Sequence, residues 1–172
     1  MSVDPEPRGP VQPKLHSQFD IEESLIFSTS RPAAIIESIA YYAVNNMWED
    51  LWHLADKLKR EVSVLFDSRR LVWVDIGTIG RVNLATPICS QLPLRLWVHT
   101  HPRDAYWSET DKTTLGFVSG ILDCALVLGY DHLVKTEFQE SVSVRIEDCR
   151  IAASGPLAHW TDEAAVSYSN LV

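Results

Sequence analysis

Cysteine is scarce in this sequence: three thiols in 172 residues, Cys89, Cys124 and Cys149. Few, odd in number and widely spaced, they supply neither a disulfide framework nor a thiolate zinc site, and they suit a reducing compartment. Basic charge is also short. Fifteen Lys and Arg stand against 23 Asp and Glu, for a net charge of −8. An overall basic footprint for nucleic acid is therefore missing, and only a local patch is left open. Long apolar runs are lacking too. The longest nearly uncharged stretch, Leu115 to Tyr130, contains Asp123 and three glycines, so no segment reads as a membrane span. No charged-then-apolar leader opens the chain, and the expected location is the cytoplasm.

What is present is ordinary for a globular fold. Apolar residues make up 46% and charged residues 22%, enough for one domain with a sizeable core at this length. Residues 1–20 read as a disordered tail, with four prolines among the first 13 positions. Residues 21–172 read as a single domain. Phe19, Ile21, Leu25, Ile26 and Phe27 have the makings of a short strand. After Ser30, apolar residues recur every three or four positions through Leu58, as one long helix or two joined near Asn45 and Asn46. The period then changes to that of strands: Glu61–Phe66, a turn at Asp67–Arg70, and Leu71–Ile76, a β-hairpin. Arg81–Leu84 reads as a short strand and Leu94–His99 as a clear one. Ser108 to Gly129 reads as a helix on Leu115, Val118, Ile121, Leu122, Ala125 and Leu128, with Gly129 as its stop. Strands follow at Asp131–Lys135 and Val142–Ile146, then a strand near Arg150–Ala153 and a short helix after Thr161. The pattern predicts an α/β fold, a mixed sheet flanked by helices.

The chemistry-bearing string is Trp97-Val98-His99-Thr100-His101-Pro102-Arg103-Asp104-Ala105-Tyr106-Trp107-Ser108-Glu109-Thr110-Asp111. Residues two apart on a strand leave the same face, so His99 and His101 point together, with Cα atoms roughly 6.6 Å apart. Asp111 falls in the first turn of the next helix. Two nitrogens and one oxygen suit zinc with an open fourth position. Ser108 and Asp111 have a second reading, a helix N-cap with an acid in the first turn.

The string resembles the JAMM metalloprotease motif, also called JAB or MPN-plus: His-x-His-Pro, then Ser-x-x-Asp, with a glutamate upstream. The likeness runs over roughly residues 47–136 and implies the cytidine-deaminase-like JAB/MPN architecture. It implies one zinc per chain, held by His99, His101 and Asp111. Glu61, at the start of the first hairpin strand, takes the place of the upstream glutamate as catalytic base, and Ser108 that of the serine that helps hold the tetrahedral intermediate. The implied activity is hydrolysis of peptide or isopeptide bonds, as in a deubiquitinase-like isopeptidase, with ubiquitin-like conjugates or precursors as substrates. Glu61–Asp67, Gly77-Thr78 and Gly129-Tyr130-Asp131-His132 also resemble the RadC branch. That implies an alternative, a metal-binding accessory protein of DNA repair or mobile elements without peptidase activity. Two departures stand out. His101 and Asp111 have nine residues between them, one fewer than the family pattern. Pro87–Pro93 is too short for the helix that both branches carry.

Other candidates have competing readings. Asp131 and His132 read as partners behind the metal site or as local strand residues. Tyr106 and Trp107 read as a substrate groove or as cover for the core. Glu37 and Glu49 compete with Glu61 as the base but fall in helix interiors, and Asp104 is an alternative ligand.

Overall fold

The structure, a computed structural model, describes residues 9–27, 32–77, 84, 87–139, 159–161 and 163–171. Three helices come first: α1 (Gln18–Ile26), α2 (Ala33–Val44) and α3 (Trp48–Leu58). The hairpin β1 (Val62–Phe66) and β2 (Val72–Ile76) follows, then β3 (Leu94–Thr100). Helix α4 (Glu109–Phe117) crosses to β4 (Leu122–Leu128), and β5 (His132–Glu137) and the short β6 (Val166–Ser167) complete the elements, with a 3₁₀ turn at Tyr168–Asn170. The six described strands lie in the order β2-β1-β3-β4-β5-β6. Among the described strands only β3 and β4 are parallel neighbours, because α4 is the crossover between them. The class is α/β with a mixed sheet.

Alternation along the strands sorts side chains to two faces. Val62, Val64, Val74, Val98 and Leu126 pack under α2 and α3, against Ile35, Ile39, Leu51 and Trp52. Leu65, Trp73, Trp97 and Ala125 pack on the other face against Leu115 and Val118 at α4. The amphipathic α3 buries Trp48, Leu51, Trp52, Leu54 and Ala55, and Lys59 ends it in the left-handed conformation, at φ 54°. No helix among the described residues is long and apolar enough to cross a membrane.

Several expectations change. Of the two readings for Ala33 to Leu58, the two-helix one holds, with Asn46 at φ 56° in the junction. The expected tail does not describe residues 9–20. Val11 N–H donates to the Val72 carbonyl (2.7 Å), Lys14 N–H to the Glu37 carbonyl (3.2 Å), and His16 Nε2 meets Glu37 Oε2 at 2.5 Å. The segment after it is helix rather than strand, because Ser17 caps it through Asp20 N–H.

The largest correction is the helix expected over Ser108–Gly129. It ends at Phe117, and Leu122–Leu128 is β4. This strand lies between β3 and β5 and is covered on both faces, so its apolar run loses the alternation that marks a strand in sequence. Gly129 is therefore no helix stop. After Thr161, residues 166–167 form β6 and a 3₁₀ turn replaces the expected helix. The strands expected at Val142–Ile146 and Arg150–Ala153, and nearly all of that at Arg81–Leu84, lie outside the described residues.

Candidate metal centre

The sheet delivers the two histidines. Register places Ser63 opposite His99, and the Trp97 indole donates to Ser63 Oγ at 2.9 Å on that face. His99 and His101 leave β3 on this side, at its C-terminal end. His101 is anchored by its backbone: its N–H donates to the Leu128 carbonyl (2.9 Å). Its carbonyl accepts from the Trp52 indole (2.7 Å).

The carboxylate arrives by a different route. Ser108 is the N-cap of α4, and its Oγ accepts from the Asp111 N–H at 3.2 Å. Asp111 answers with Oδ2, which accepts from Ser108 N–H (2.9 Å) and from Ser108 Oγ–H (2.6 Å). This reciprocal capping box fixes the rotamer of Asp111.

The three side chains converge. His99 Nε2 lies 3.2 Å from His101 Nε2. Asp111 Oδ1 lies 3.1 Å from His99 Nε2, and Oδ2 lies 3.3 Å from His101 Nε2. All three residues are buried. Ligands bound to a tetrahedral zinc at ordinary lengths stand about 3.3 Å from each other, so the spacing fits such an ion. Two neutral imidazoles bring at most two Nε2 protons to three contacts, whereas a cation satisfies all three at once. His99 Nδ1 has no hydrogen-bond partner among the described residues. The ring stacks on Trp97 at 4.5 Å, and among the described residues its polar contacts run to His101 and Asp111. The group can hold a metal ion.

Protonation states agree with that use. Burial lowers the pKa of His99 and keeps the ring neutral, the form that binds metal. Burial pushes the Asp111 carboxyl up, but hydrogen bonds from His101, His99 and Ser108 outweigh it and hold the group well below the usual carboxylate range. Asp111 is an anion between two rings.

Glu61 lies one residue before β1, half-buried. Its carbonyl accepts from Gly77 N–H at 2.8 Å, which extends the hairpin ladder by one step. The β1–β3 register ends at Ser63 opposite His99, two residues after Glu61. Glu61 and His101 share the wall of a cleft of about 310 Å³ that also touches Trp52, Ala55 and Pro102. The competing acids are elsewhere. Glu37 pairs with His16, Glu49 stands 3.8 Å from His53, and Asp104 is exposed.

The aromatic pair flanks the cluster. Tyr106 is exposed and meets the His101 ring edge-on at 4.8 Å. Trp107 sits 5.6 Å from the His99 ring and also packs on the core below. Asp131 and His132 make no contact with His99 or His101. His132 Nδ1 donates to Asp131 Oδ1 (2.6 Å), and His132 Nε2 accepts from Ala105 N–H (3.0 Å). Tyr130 N–H adds a bond to the Arg103 carbonyl at 2.7 Å. The β4–β5 turn thus grips the loop that links His101 to Asp111. Gly129 belongs to this grip: a Cβ there would stand 2.5 Å from Ala105 N, a clash with backbone that only glycine avoids.

Trp52 and Gly129 hold the segments around the cluster in ways that sequence reasoning missed. Trp52 read as core, which it is, yet a buried indole N–H needs an acceptor, and that requirement was the available signal. Compared with family models, curated proteins and solved structures, the chain finds no match.

Proposed function

We propose that the chain is a zinc-dependent hydrolase of peptide or isopeptide bonds, with a JAMM-type site in a JAB/MPN-like architecture, acting in the cytoplasm. The observation that carries this reading is the convergence of His99, His101 and Asp111, with His101 and Glu61 both lining one cleft. His99, His101 and Asp111 would hold the ion. A bound zinc supplies a Lewis acid and lowers the pKa of a coordinated water to about 7. Glu61 accepts the proton of the attacking water and passes it to the nitrogen of the leaving amine. The C–N bond breaks, and a carboxylate and an amine leave. Ser108 keeps Asp111 in its rotamer. Its single hydroxyl proton is committed to Asp111 Oδ2, so contact with an oxyanion requires that proton to turn. Ubiquitin-like conjugates or precursors are the substrate class that the motif resemblance supplies.

The test is metal analysis of untagged protein together with Glu61→Gln. The expected result is about one zinc per chain in both proteins and cleavage of a ubiquitin-like fusion by the wild type alone. Absence of zinc overturns the reading. Zinc without cleavage of any fusion or peptide favours the RadC-like accessory role instead.

A further inference from the structure

The cleft beside Glu61 has a composition of its own. Its inner wall is the ring of Trp52 and the methyl of Ala55, both buried in α3. Pro102 and Thr100 also line it. At the rim, Lys59 and Asp56 pair with each other at 3.1 Å, and Arg60 completes the edge. The interior is carbon almost throughout. A charged group has little there to replace its water, whereas an apolar side chain gains by entering. The volume is at the small end for ligand pockets, which suits one side chain rather than a cofactor.

Position says whose side chain it is. On the hydrolase reading, on which this inference rests, Glu61 hands a proton to the leaving amine and must lie within hydrogen-bond reach of it. Because Glu61 also walls the cleft, the cleft borders the residue that would hand over that proton. We infer that it receives a bulky apolar side chain, of leucine or phenylalanine size, from the substrate residue that supplies the leaving amine. Such a residue presents its α-nitrogen to the bond being cut. The preferred target is thus a main-chain peptide bond with an apolar residue after it, as in precursor processing, rather than a lysine isopeptide.

The test is a set of quenched fluorogenic peptides that differ only in the residue after the bond: Gly, Ala, Leu, Phe or Asp. The zinc-loaded protein is expected to cleave the Leu and Phe peptides with kcat/KM at least about 10-fold above Gly, the scale on which apolar pockets discriminate. Asp56→Trp, which puts a ring over the mouth from the half-exposed rim, should lower the Phe peptide's kcat/KM at least about 10-fold and the Gly peptide's less. A Gly or Asp peptide cut as well as Leu or Phe overturns the inference and leaves the hydrolase intact. If no peptide is cut, the hydrolase reading is what fails, and binding decides the cleft: the Trp52 indole N–H resonance is followed during titration with phenylalaninamide and with glycinamide. A shift with the first alone upholds an apolar side-chain pocket. No shift with either overturns it.

Discussion

The two halves of the candidate metal centre are held in different ways. The histidine half belongs to the sheet: β3 is paired on both sides, and the Trp52 indole ties the His101 carbonyl to α3. The carboxylate half belongs to a loop and a nine-residue helix, fixed by the Ser108–Asp111 box and by the grip of Gly129, Tyr130 and His132. The difference teaches where the site tolerates change. Sheet geometry fixes the rings, and the loop can vary because α4 carries its own start signal. The loop is one residue shorter than the JAMM pattern, and Asp111 still reaches both rings, since a capping box places its acid relative to the helix, not to the strand.

Mutations should separate the halves. The largest effect is expected from Asp111→Ala, which removes a donor. Zinc affinity, measured by competition with a chromophoric chelator, should fall by more than about 100-fold, since outer partners alone are worth about 10–100-fold. Gly129→Ala comes next. The new methyl must displace Ala105, so unfolding free energy should drop by about 1–3 kcal/mol and zinc affinity about 10-fold, read by urea titration and the same competition. Trp52→Phe strikes the sheet half. It leaves the His101 carbonyl without its donor, with an expected loss of about 1–3 kcal/mol. If zinc affinity instead falls while stability holds, the contrast between the halves is wrong. Ser108→Ala is the mildest, about 1 kcal/mol for a lost cap, with Asp111 freed to rotate and zinc binding weakened several-fold.

Acid gives a further probe of the metal-stripped protein. His99 is held below its ordinary pKa by burial, so the unfolded chain takes up a proton that the folded one does not. Stability is then present above about pH 6.5, the unfolded value, and falls as pH drops below it. Asp111, also depressed, acts in the same direction below about pH 4. Urea midpoints should therefore fall from pH 7.5 to pH 5. Replacement of His99 by Gln should flatten that slope.

Much of the histidine half was legible in the sequence, because a two-residue period on an apolar strand fixes a common face. Asp111 was legible through Ser-x-x-Asp, and the place of Glu61 beside β1 through the hairpin pattern, its role remaining part of the proposal. What stayed hidden depends on contacts distant in the chain. Leu122–Leu128 looked helical because a strand covered on both sides carries no alternation. Gly129 looked like a helix stop because a passing backbone leaves no trace in sequence. His132 showed a titratable ring without showing that Ala105 would take its lone pair. Residues 9–17 looked like a tail because their anchors are backbone groups and Glu37.

One carboxylate closes the first turn of α4 and faces both imidazoles. Redesign of the centre for a different metal therefore meets a folding constraint. A third histidine at position 111 would bring the nitrogen donor that softer ions favour, but it would leave Ser108 without its reciprocal acceptor. Any such redesign must provide a new way to begin that helix before the altered coordination can be judged.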